Sequence, residues 1–501
     1  MIFRDWLKEL DYTLLQGSVD VETEDVIYDS RKAAPGKVFV AMKGIRVDGH
    51  SFIPQVLKAG VRVLVTERPV EEELKNSGLS EEELKQVTVV MVEEGRHALA
   101  LLSAARFDHP AKKLVMIGVT GTKGKTTTTH MIRAILLAAG KKVGMIGTTG
   151  TVIGDVVTPT LNTTPESYEL HQAFAQMVEA GCEYAVMEVS SQGIKMHRTD
   201  GLYFNYAIFT NISPDHIGPG EHADFEEYLY YKTRLLNMCG IGLVNKDDKH
   251  APQIIKAANC ELYTYSEESK EADFVASDIR YVSQPDFVGT EFHISGKYDM
   301  EVRLGIPGLF NVVNALAAVS VCSFLGLDQA RISHALENIR VNGRMEIVYT
   351  SERCTVLVDY AHNAVSMESL LSTLRDYKPK RLVCVFGCGG NRSKDRRYSM
   401  GEIGGKMADL SIITADNSRY EKVEDIIADI RGSIEKTGGK FIEIPDRREA
   451  IRYSILHAQP GDMVAVIGKG HEDYQEINGV RHHFLDREVI EEAVRELREK
   501  E

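Results

Sequence analysis

Short apolar runs alternate with longer segments of helical periodicity along most of the chain. The runs are rich in β-branched residues, as at 61–66, 382–386 and 464–467. This pattern predicts parallel β-strands joined by α-helices in doubly wound sheets. Ligands of such sheets bind at the carboxyl ends of the strands, so we expect functional residues directly after the apolar runs.

The pattern divides the 501 residues into three blocks, for which we predict three α/β domains. The first block, 1–109, ends at a polar, proline-bearing linker after a helix at 98–105. The central block, 110–340, ends with a long apolar helix at 311–324, and the third block, 341–501, is expected to be Rossmann-like. The predicted strands are 38–41, 61–66 and 87–92 in the first block, 143–146, 184–189, 206–210 and 242–245 in the second, and 355–359, 382–386, 410–414 and 464–467 in the third.

Composition and charge are those of an ordinary soluble protein, with 43% hydrophobic and 26% charged residues. The net charge of −14 argues against binding to nucleic acid or to an anionic membrane, because both need a basic face. Residues 1–10 are amphipathic and unlike a signal peptide, and no apolar run reaches membrane-spanning length. Seven scattered cysteines without a C-x-x-C pair favour reduced thiols in the cytoplasm.

The stretch GVTGTKGKTTTT at 118–129 is typical of a phosphate-binding loop between a strand and a helix. Backbone N–H groups, the Lys125 ammonium and the Thr126 hydroxyl, a ligand for Mg²⁺, would form an anion site there. The spacing is a variant of G-x-x-x-x-G-K-[ST], because the first glycine of that pattern would fall at Val119. The glycines of this loop are Gly118, Gly121 and Gly124.

Two further places in the central block follow predicted strands. Glu188 lies at the end of the run 184–189 and is either a metal ligand beside the phosphate loop or a partly buried acid that caps the next turn. Asp215 and His216 follow the run 206–210. His216 is either an imidazole beside a metal ion or a hydrogen-bonded loop residue, since Mg²⁺ prefers oxygen ligands.

Lys232 lies on a helical stripe with Phe225, Leu229 and Leu236. A lysine on such an apolar stripe either snorkels to solvent or is desolvated with a lowered pKa. In the second case its neutral amine can react with CO₂ to form a carbamate, which is an oxygen ligand for a metal.

In the third block, polar residues follow two predicted strands, at 416–421 and at 468–472. Ser418 and Glu421 have the spacing of a capping box that would open the next helix. Capping does not account for Arg419 or for Glu472. Together with Arg392, these two residues would suit an amino-acid ligand, with arginine for the carboxylate and glutamate for the ammonium.

The sequence resembles the Mur ligase family over nearly its whole length, in particular the UDP-N-acetylmuramoyl-tripeptide synthetase type. The resemblance is carried by DSR at 29–31, TGTKGKT at 120–126, NTT at 162–164, MEVSS at 187–191, DYAH at 359–362 and GKGHE at 468–472. It implies a UDP-sugar-binding domain at 1–109, a P-loop ATPase domain with a doubly wound sheet at 110–340, and an amino-acid-binding domain at 341–501.

The resemblance also implies roles for individual residues. The ATP-binding set is Gly121, Thr122, Lys123, Gly124, Lys125, Thr126, Thr127, Asn311, Arg344 and Asp359. The set for the UDP-muramoyl dipeptide is Ser30, Asn162, Thr163, Thr164, Ser190 and Arg198. The set for the incoming amino acid is Arg392, Asp416, Asn417, Ser418, Arg419, Gly468 and Glu472. The catalytic set is Lys125, Glu188, His216 and Lys232, and Mg²⁺ would be held by Thr126, Glu188, His216 and the carbamate of Lys232.

The implied reaction uses ATP to phosphorylate the γ-carboxylate of D-glutamate in UDP-N-acetylmuramoyl-L-alanyl-D-glutamate, a precursor of peptidoglycan. The amine of an amino acid then displaces phosphate. The cofactors would be Mg²⁺ and ATP as co-substrate, and the partners would be small molecules only. We expect a cytoplasmic monomer that neither binds nucleic acid nor inserts into membranes.

The sequence departs from the family pattern in places that bear on the acceptor. DNSR at 416–419 replaces Asp-Asn-Pro-Arg, SSQ at 190–192 replaces Ser-Ser-His, and Lys123 stands where Asn is usual. Arg419 is retained, which favours meso-2,6-diaminopimelate, while Ser418 leaves lysine or ornithine open. A folylpolyglutamate synthase-like ligase and a non-catalytic paralogue are the alternatives to this function.

Overall fold

The computed structural model describes residues 1–44, 47–215, 217–218 and 220–500. The chain forms two compact units. The first unit comprises 1–265 with 320–322, and the second comprises 266–319 with 323–500. No helix within these described ranges is both long enough and apolar enough to cross a membrane.

The N-terminal part of the first unit is a five-stranded sheet packed against helices on both faces. The strands, in spatial order, are β1 (Thr13–Gln16), β5 (Thr88–Met91), β4 (Val63–Thr66), β3 (Lys37–Val40) and β2 (Asp25–Ile27). The helices are α1 (Phe3–Trp6), α2 (Ile53–Lys58), α3 (Glu71–Lys75), α4 (Glu81–Leu84) and α5 (Gly95–Arg106). Neighbouring strands are parallel except β1 with β5. Val38 and Phe39 enter opposite cores, because side chains alternate along a strand.

The rest of the first unit is a larger sheet that is parallel at its centre. Its strands, in spatial order, are β13 (Glu261–Ser266), β12 (Cys239–Asn245), β11 (Phe204–Phe209), β6 (Val115–Thr120), β10 (Tyr184–Glu188), β7 (Val143–Gly147), β8 (Gly150–Ile153) and β9 (Val156–Thr158). The helices are α6 (Lys125–Ala138), α7 (Ser167–Glu179), α8 (Ser191–Lys195), α9 (Phe225–Thr233) and α10 (Ala251–Ala257). The chain winds from β6 in both directions, so this sheet is doubly wound as predicted.

The second unit begins with an antiparallel meander of β14 (Phe274–Gln284), β15 (Phe287–Gly296) and β16 (Met300–Leu304). The helices α11 (Leu309–Ser323) and α12 (Gln329–Glu337) follow it. The sequence pattern did not predict this meander.

The C-terminal sheet of the second unit is Rossmann-like. Its strands, in spatial order, are β17 (Glu346–Thr350), β18 (Cys354–Asp359), β22 (Asp462–Ile467), β19 (Arg381–Phe386), β20 (Leu410–Ile413) and β21 (Phe441–Glu443). The helices are α13 (Ala364–Asp376), α14 (Asp395–Met407), α15 (Val423–Thr437), α16 (Arg447–Leu456) and α17 (Asp486–Lys500), and β23 (Tyr474–Ile477) pairs with β24 (Val480–His483) in a hairpin. Only the edge strand β17 is antiparallel to its neighbour among these six.

The α/β fold and all of the predicted strands are confirmed to within a few residues of their ends. The five-stranded sheet falls inside 1–109, and the Rossmann-like sheet falls inside 341–501. The boundaries at 109/110 and 340/341 stay predictions.

A buried ion pair joins the first residues of two helices that pack on the C-terminal sheet. Arg447, on α16, donates from Nε and Nη2 to the two carboxylate oxygens of Asp486, on α17, each at 2.7 Å. Both side chains are fully buried. Arg447 also donates to the carbonyls of Ala415 and Ile467, which lie at the carboxyl ends of β20 and β22. The pair therefore fixes the strand ends that precede Asp416 and Gly468.

We expect Asp486→Ala to lower the free energy of unfolding of the second unit by roughly 3–5 kcal/mol, because it leaves the Arg447 guanidinium buried without its counter-ion. Urea denaturation followed by circular dichroism measures the change. Arg448→Ala is the matched control, because Arg448 is half-exposed and pairs with Glu492 at the surface. That control should cost no more than about 1 kcal/mol. Equal effects of the two variants would contradict a structural role for the buried pair.

Candidate active site

The phosphate-binding loop lies between the central strand β6 and the N-terminus of α6, as the sequence predicted. Gly121 has φ of +143°, and a Cβ there would lie 1.9 Å from Thr210 Oγ1. Gly124, the residue before α6, has φ of +86°. Both positions therefore require glycine. The backbone N–H groups and dipole at this helix N-terminus suit a phosphate group.

One backbone carbonyl of this loop binds two lysine side chains. The Gly121 oxygen accepts hydrogen bonds from Lys125 Nζ and from Lys232 Nζ, each at 2.8 Å. Lys125 Nζ also donates to the Thr122 carbonyl at 3.1 Å. Two unit charges about 5 Å apart repel by ~3 kcal/mol at an effective dielectric constant of ~20. The closeness of the two amines thus favours a state in which one of them is neutral.

Lys232 is the more deeply buried of the two amines. It lies near the end of α9, is 2% exposed, and places Nζ 4.7 Å from the centroid of the Tyr228 ring. Desolvation, and then the charge of Lys125, hold the pKa of Lys232 well below its ordinary value, while Asp215 acts in the opposite direction. Lys232 does not snorkel, because its amine points inward to the Gly121 carbonyl. A neutral amine in this position has the lone pair that reaction with CO₂ requires.

Glu188 lies at the carboxyl end of β10, beside the phosphate loop, and is 1% exposed. Its Oε1 accepts from Thr126 Oγ1 at 3.0 Å and from the Thr148 N–H at 2.9 Å. A Cβ on Gly147 would lie 2.3 Å from this oxygen, so glycine there leaves room for the carboxylate. Glu188 caps no helix, because the cap of α8 is the Ser190 side chain. Hydroxyl and carboxylate oxygens are ligands that Mg²⁺ prefers, and the pair therefore fits that ion.

The loop after β11 is bonded to the phosphate loop. Asn211 accepts from the Thr122 N–H with its carbonyl oxygen and from the Lys123 N–H with Oδ1, each at 2.9 Å. Its Nδ2 donates to the Lys123 carbonyl at 3.1 Å. These bonds hold the start of the segment that leads to Asp215 next to the phosphate loop. His216, a predicted metal ligand, lies outside the described residues.

Several residues assigned to the dipeptide surround the end of β10. Thr164 Oγ1 donates to the Glu188 carbonyl at 3.0 Å and accepts from the Ser190 N–H at 2.9 Å. Arg198 donates to the Thr164 carbonyl at 3.0 Å and lies 2.6 Å from a Glu166 oxygen.

The other residues predicted to bind the dipeptide are less deeply buried. Thr163 Oγ1 lies 3.0 Å from Thr148 Oγ1, and Asn162 is exposed. Ser30 begins a 3₁₀ helix after β2 of the five-stranded sheet, and Asp29 caps that helix.

Three residues assigned to ATP lie in the second unit. Asn311, on α11, is buried and donates to the Pro307 carbonyl at 2.6 Å. Asp359 ends β18 and accepts from the Met345 and Ala361 N–H groups, each at 2.8 Å. Burial raises the pKa of Asp359. The Arg344 guanidinium lies 5.1 Å from the centroid of the Tyr360 ring.

Several of the residues predicted to bind the incoming amino acid lie together at the carboxyl ends of β20 and β22. Asn417 Nδ2 donates to Glu472 Oε2 at 2.9 Å. Gly468 has φ of +112°, and a Cβ there would lie 3.0 Å from an Asp416 oxygen. Arg419 donates from Nη1 to the Gly390 carbonyl at 2.7 Å, and its Nε lies 3.6 Å from Glu476.

Arg392 is exposed and lies near the same loop. A Cβ on Gly389 would lie 3.9 Å from Arg392 Cγ and 3.6 Å from Arg419 Nη1. The side chains of both arginines therefore pass close to Gly389.

The predicted capping box of Ser418 and Glu421 is wrong. The helix α15 begins at Val423, and no side chain caps it. Arg419 has φ of +50°, a left-handed conformation that cannot belong to the first turn of a helix. The Glu421 carboxylate instead accepts from the Asn391 N–H and from Arg397.

Sequence reasoning missed two residues of the site. Thr148 follows β7 and contacts Glu188, while Lys469 follows β22, is fully buried and lies 3.4 Å from Glu472. Both follow predicted strands, so the rule that ligands bind at strand ends contained the signal for them.

The sequence matches three family profiles in chain order. They are "Mur ligase family, catalytic domain" at residues 23–107, "Mur ligase middle domain" at 119–322, and "Mur ligase, glutamate ligase domain" at 343–470. A relative from Caldanaerobacter subterraneus, named UDP-N-acetylmuramoyl-L-alanyl-D-glutamate–2,6-diaminopimelate ligase, is 39% identical over 98% of both chains.

Solved structures give the same likeness. A UDP-N-acetylmuramoyl-L-alanyl-D-glutamate–2,6-diaminopimelate ligase has a TM-score of 0.72 and 30% identity, with 95% of each chain covered. A folylpolyglutamate synthase from Mycobacterium tuberculosis has a TM-score of 0.57 and 18% identity, and covers 74% of this chain and 92% of its own. The second likeness shows a shared fold alone.

We expect Lys125→Ala to weaken ATP binding by roughly 1.5–3 kcal/mol, or about tenfold or more, because it removes a charged hydrogen-bond donor from the phosphate loop. Titration with a fluorescent ATP analogue measures this change. The exposed Lys112 pairs with Glu9 at the surface, so Lys112→Ala is the control and should bind ATP as the native chain does. An unchanged affinity in a folded Lys125→Ala protein would disprove the assignment of the loop.

Proposed function

Because this chain belongs to the Mur ligase family, we propose that it joins meso-2,6-diaminopimelate to UDP-N-acetylmuramoyl-L-alanyl-D-glutamate in an ATP-dependent, ADP-forming reaction. The reaction forms a carbon–nitrogen bond and contributes to peptidoglycan synthesis. Its substrates are small molecules. Two of them, ATP and the UDP-linked dipeptide, are nucleotides, so we propose that the reaction takes place in the cytoplasm. We also propose that the chain acts as a monomer.

The observation that carries this proposal is the pair of amines on the Gly121 carbonyl, next to the Thr126–Glu188 pair. A ligase of this kind must bring two anions together, the terminal phosphate of ATP and a substrate carboxylate. A protonated Lys125 offsets their repulsion at the phosphate loop. A binding protein would have no need of a second, desolvated amine at the same carbonyl, which argues against a non-catalytic paralogue.

We assign the ion that accompanies ATP to Mg²⁺, held by Thr126 and Glu188, with His216 and a carbamate of Lys232 as the further proposed ligands. Bound there, Mg²⁺ would supply positive charge to the phosphate oxygens. The chain itself orients the carboxylate of Glu188 through Thr148. Arg198, held by Glu166, lies behind the same strand end and is suited to the acidic dipeptide.

The acceptor site is proposed at Asn417, Arg419 and Glu472. Glu472 is bonded to Asn417 and lies 3.3 Å from the Tyr360 hydroxyl, so its carboxylate is fixed where it can accept from an ammonium group. Arg419 is fixed by the Gly390 carbonyl and by its left-handed backbone. We propose that its guanidinium binds the distal carboxylate of diaminopimelate, a group that lysine and ornithine lack.

The direct test is an assay of phosphate release with ATP, Mg²⁺ and UDP-N-acetylmuramoyl-L-alanyl-D-glutamate, with the product identified by mass spectrometry. Diaminopimelate, lysine and ornithine are compared as acceptors, and a folate with glutamate tests the folylpolyglutamate alternative. We expect a product with the mass of the diaminopimelate adduct. Lysine, ornithine, and the folate with glutamate should give little product. The proposal would be overturned if product formed only with folate and glutamate, or if none of the acceptors gave a product.

We expect Lys232→Ala to be nearly inactive, because the carbamate oxygens are lost, and to regain part of its activity when a short carboxylate such as acetate is added. Steady-state rates with and without acetate measure this rescue. Lys112→Ala serves again as the control, which acetate should leave unchanged. Full activity of Lys232→Ala without acetate would show that the amine has no part in the reaction.

We expect Arg419→Ala to weaken the binding of diaminopimelate by roughly 2–5 kcal/mol and so to raise its KM strongly. The KM for ATP should barely change. The ratio of kcat/KM for diaminopimelate over lysine should therefore fall. Arg431→Ala is the control, since Arg431 on α15 pairs with Glu443 at the surface. If Arg419→Ala leaves the ratio as it is in the native chain, diaminopimelate is not selected by this arginine.

A further inference from the structure

A second cluster of ligating side chains lies in the first unit, apart from the phosphate loop. His97 Nδ1 lies 2.6 Å from Asp200 Oδ2, and His197 Nδ1 lies 2.8 Å from the same oxygen. The ligand atoms of the three residues all lie within 4.8 Å of one another. The function proposed above gives none of these three residues a role.

The three residues come from two distant parts of the sequence. His97 lies in the first turn of α5, while His197 and Asp200 lie in the turns that follow α8. His197 has φ of +56°, an uncommon conformation for a residue other than glycine, and its imidazole faces Asp200 in that conformation. The two imidazole rings meet edge to face, with their centroids 6.3 Å apart. Side chains 100 residues apart thus converge on one carboxylate oxygen.

The donor set has the chemistry of a transition-metal site. Two imidazole nitrogens and a carboxylate oxygen are ligands of Zn²⁺, which in many sites keeps a fourth position for water. The three side chains are 24–44% exposed, so an ion can enter and keep a water ligand. Ligands about 2.0–2.1 Å from a tetrahedral Zn²⁺ lie ~3.3 Å from each other. The two nitrogen–oxygen distances of 2.6 and 2.8 Å therefore need to lengthen by roughly 0.5–0.7 Å for the cluster to hold the ion.

Without an ion, an ionised Asp200 can only accept hydrogen bonds, so the two short contacts require a proton on Nδ1 of each imidazole. This hydrogen bond raises the pKa of His197 above its ordinary value. Binding of an ion at Nδ1 would shift each neutral imidazole to the tautomer with its proton on Nε2, and a protonated His197 would release one proton to solvent.

We propose that His97, His197 and Asp200 form a binding site for one Zn²⁺ ion, distinct from the proposed Mg²⁺ site at Thr126 and Glu188. The site joins α5 to the segment that carries Arg198, which is the residue after His197 and is paired with Glu166. Arg96, the neighbour of His97, lies 3.5 Å from the same Glu166. A bound Zn²⁺ would thus cross-link the two segments on either side of this arginine–glutamate network.

The test uses the untagged full-length chain, freed of metal with a chelator and then dialysed against Zn²⁺ in the presence of excess Mg²⁺. Bound zinc per chain is measured by mass spectrometry of the metal, and Co²⁺ replaces Zn²⁺ for visible spectroscopy. We expect one tightly bound Zn²⁺ per chain and the intense visible bands of four-coordinate Co²⁺. His97→Ala should weaken binding by at least ~10-fold, since even the loss of outer-shell partners costs that much.

The control variant is His482→Ala, because His482 is an exposed histidine on β24. It should bind Zn²⁺ as the native chain does. Asp200→Asn keeps the side-chain size and should also lose the Co²⁺ bands. Circular dichroism without metal checks that each variant is folded. Equal zinc content in the native chain and His97→Ala, or several weak ions with no four-coordinate Co²⁺ spectrum, would overturn the proposal and leave the cluster a hydrogen-bond network.

Discussion

The carbonyl oxygen of Gly121 binds two lysine amines, and the chemistry that we propose for the first unit depends on that arrangement. The oxygen is available because Gly121 has a backbone conformation that only glycine adopts easily, next to Thr210. Lys125 reaches it from the start of α6, and Lys232 reaches it from α9. Burial, and then the nearby charge of Lys125, lowers the pKa of Lys232, the more deeply buried of the two amines.

In the second unit, as in the first, the proposed functional residues lie where strands of the sheet end. Asp416 follows β20 and Gly468 follows β22, which lie on either side of β19, and the buried Arg447 donates to the carbonyls of the residues just before both. A buried charge that is fully paired and hydrogen-bonded can hold such loops, whereas an unpaired one would destabilise them. The ion pair with Asp486 therefore links the stability of this unit to the geometry of the proposed acceptor site.

Hydrophobic periodicity predicted most of the fold because parallel strands buried on both faces leave a clear signal, as at 462–467. The meander of β14 to β16 was missed, since most of β14 is exposed or half-buried and β16 alternates buried residues with more exposed ones, so neither strand carries a long apolar run. The family resemblance predicted most residues of the candidate site. The rule that ligands bind at the carboxyl ends of strands would also have indicated Thr148 and Lys469.

Other features depended on backbone conformation, which sequence spacing does not reveal. Ser418 and Glu421 have the spacing of a capping box, but the left-handed Arg419 between them prevents a helix from starting there. The depth of Lys232 was also undecided in the sequence, because an apolar stripe is compatible with a snorkelling amine. Only the contact with Gly121 shows which way the side chain points.

The claim that Lys232 is a desolvated, reactive amine can be measured without any assay of turnover. The chain is equilibrated with ¹³C-labelled bicarbonate and Mg²⁺ near neutral pH, and ¹³C NMR is used to detect a carbamate carbon. We predict one such resonance per chain, which disappears in Lys232→Met and persists in Lys112→Met. A spectrum without this resonance, or a resonance that survives in Lys232→Met, would contradict the account.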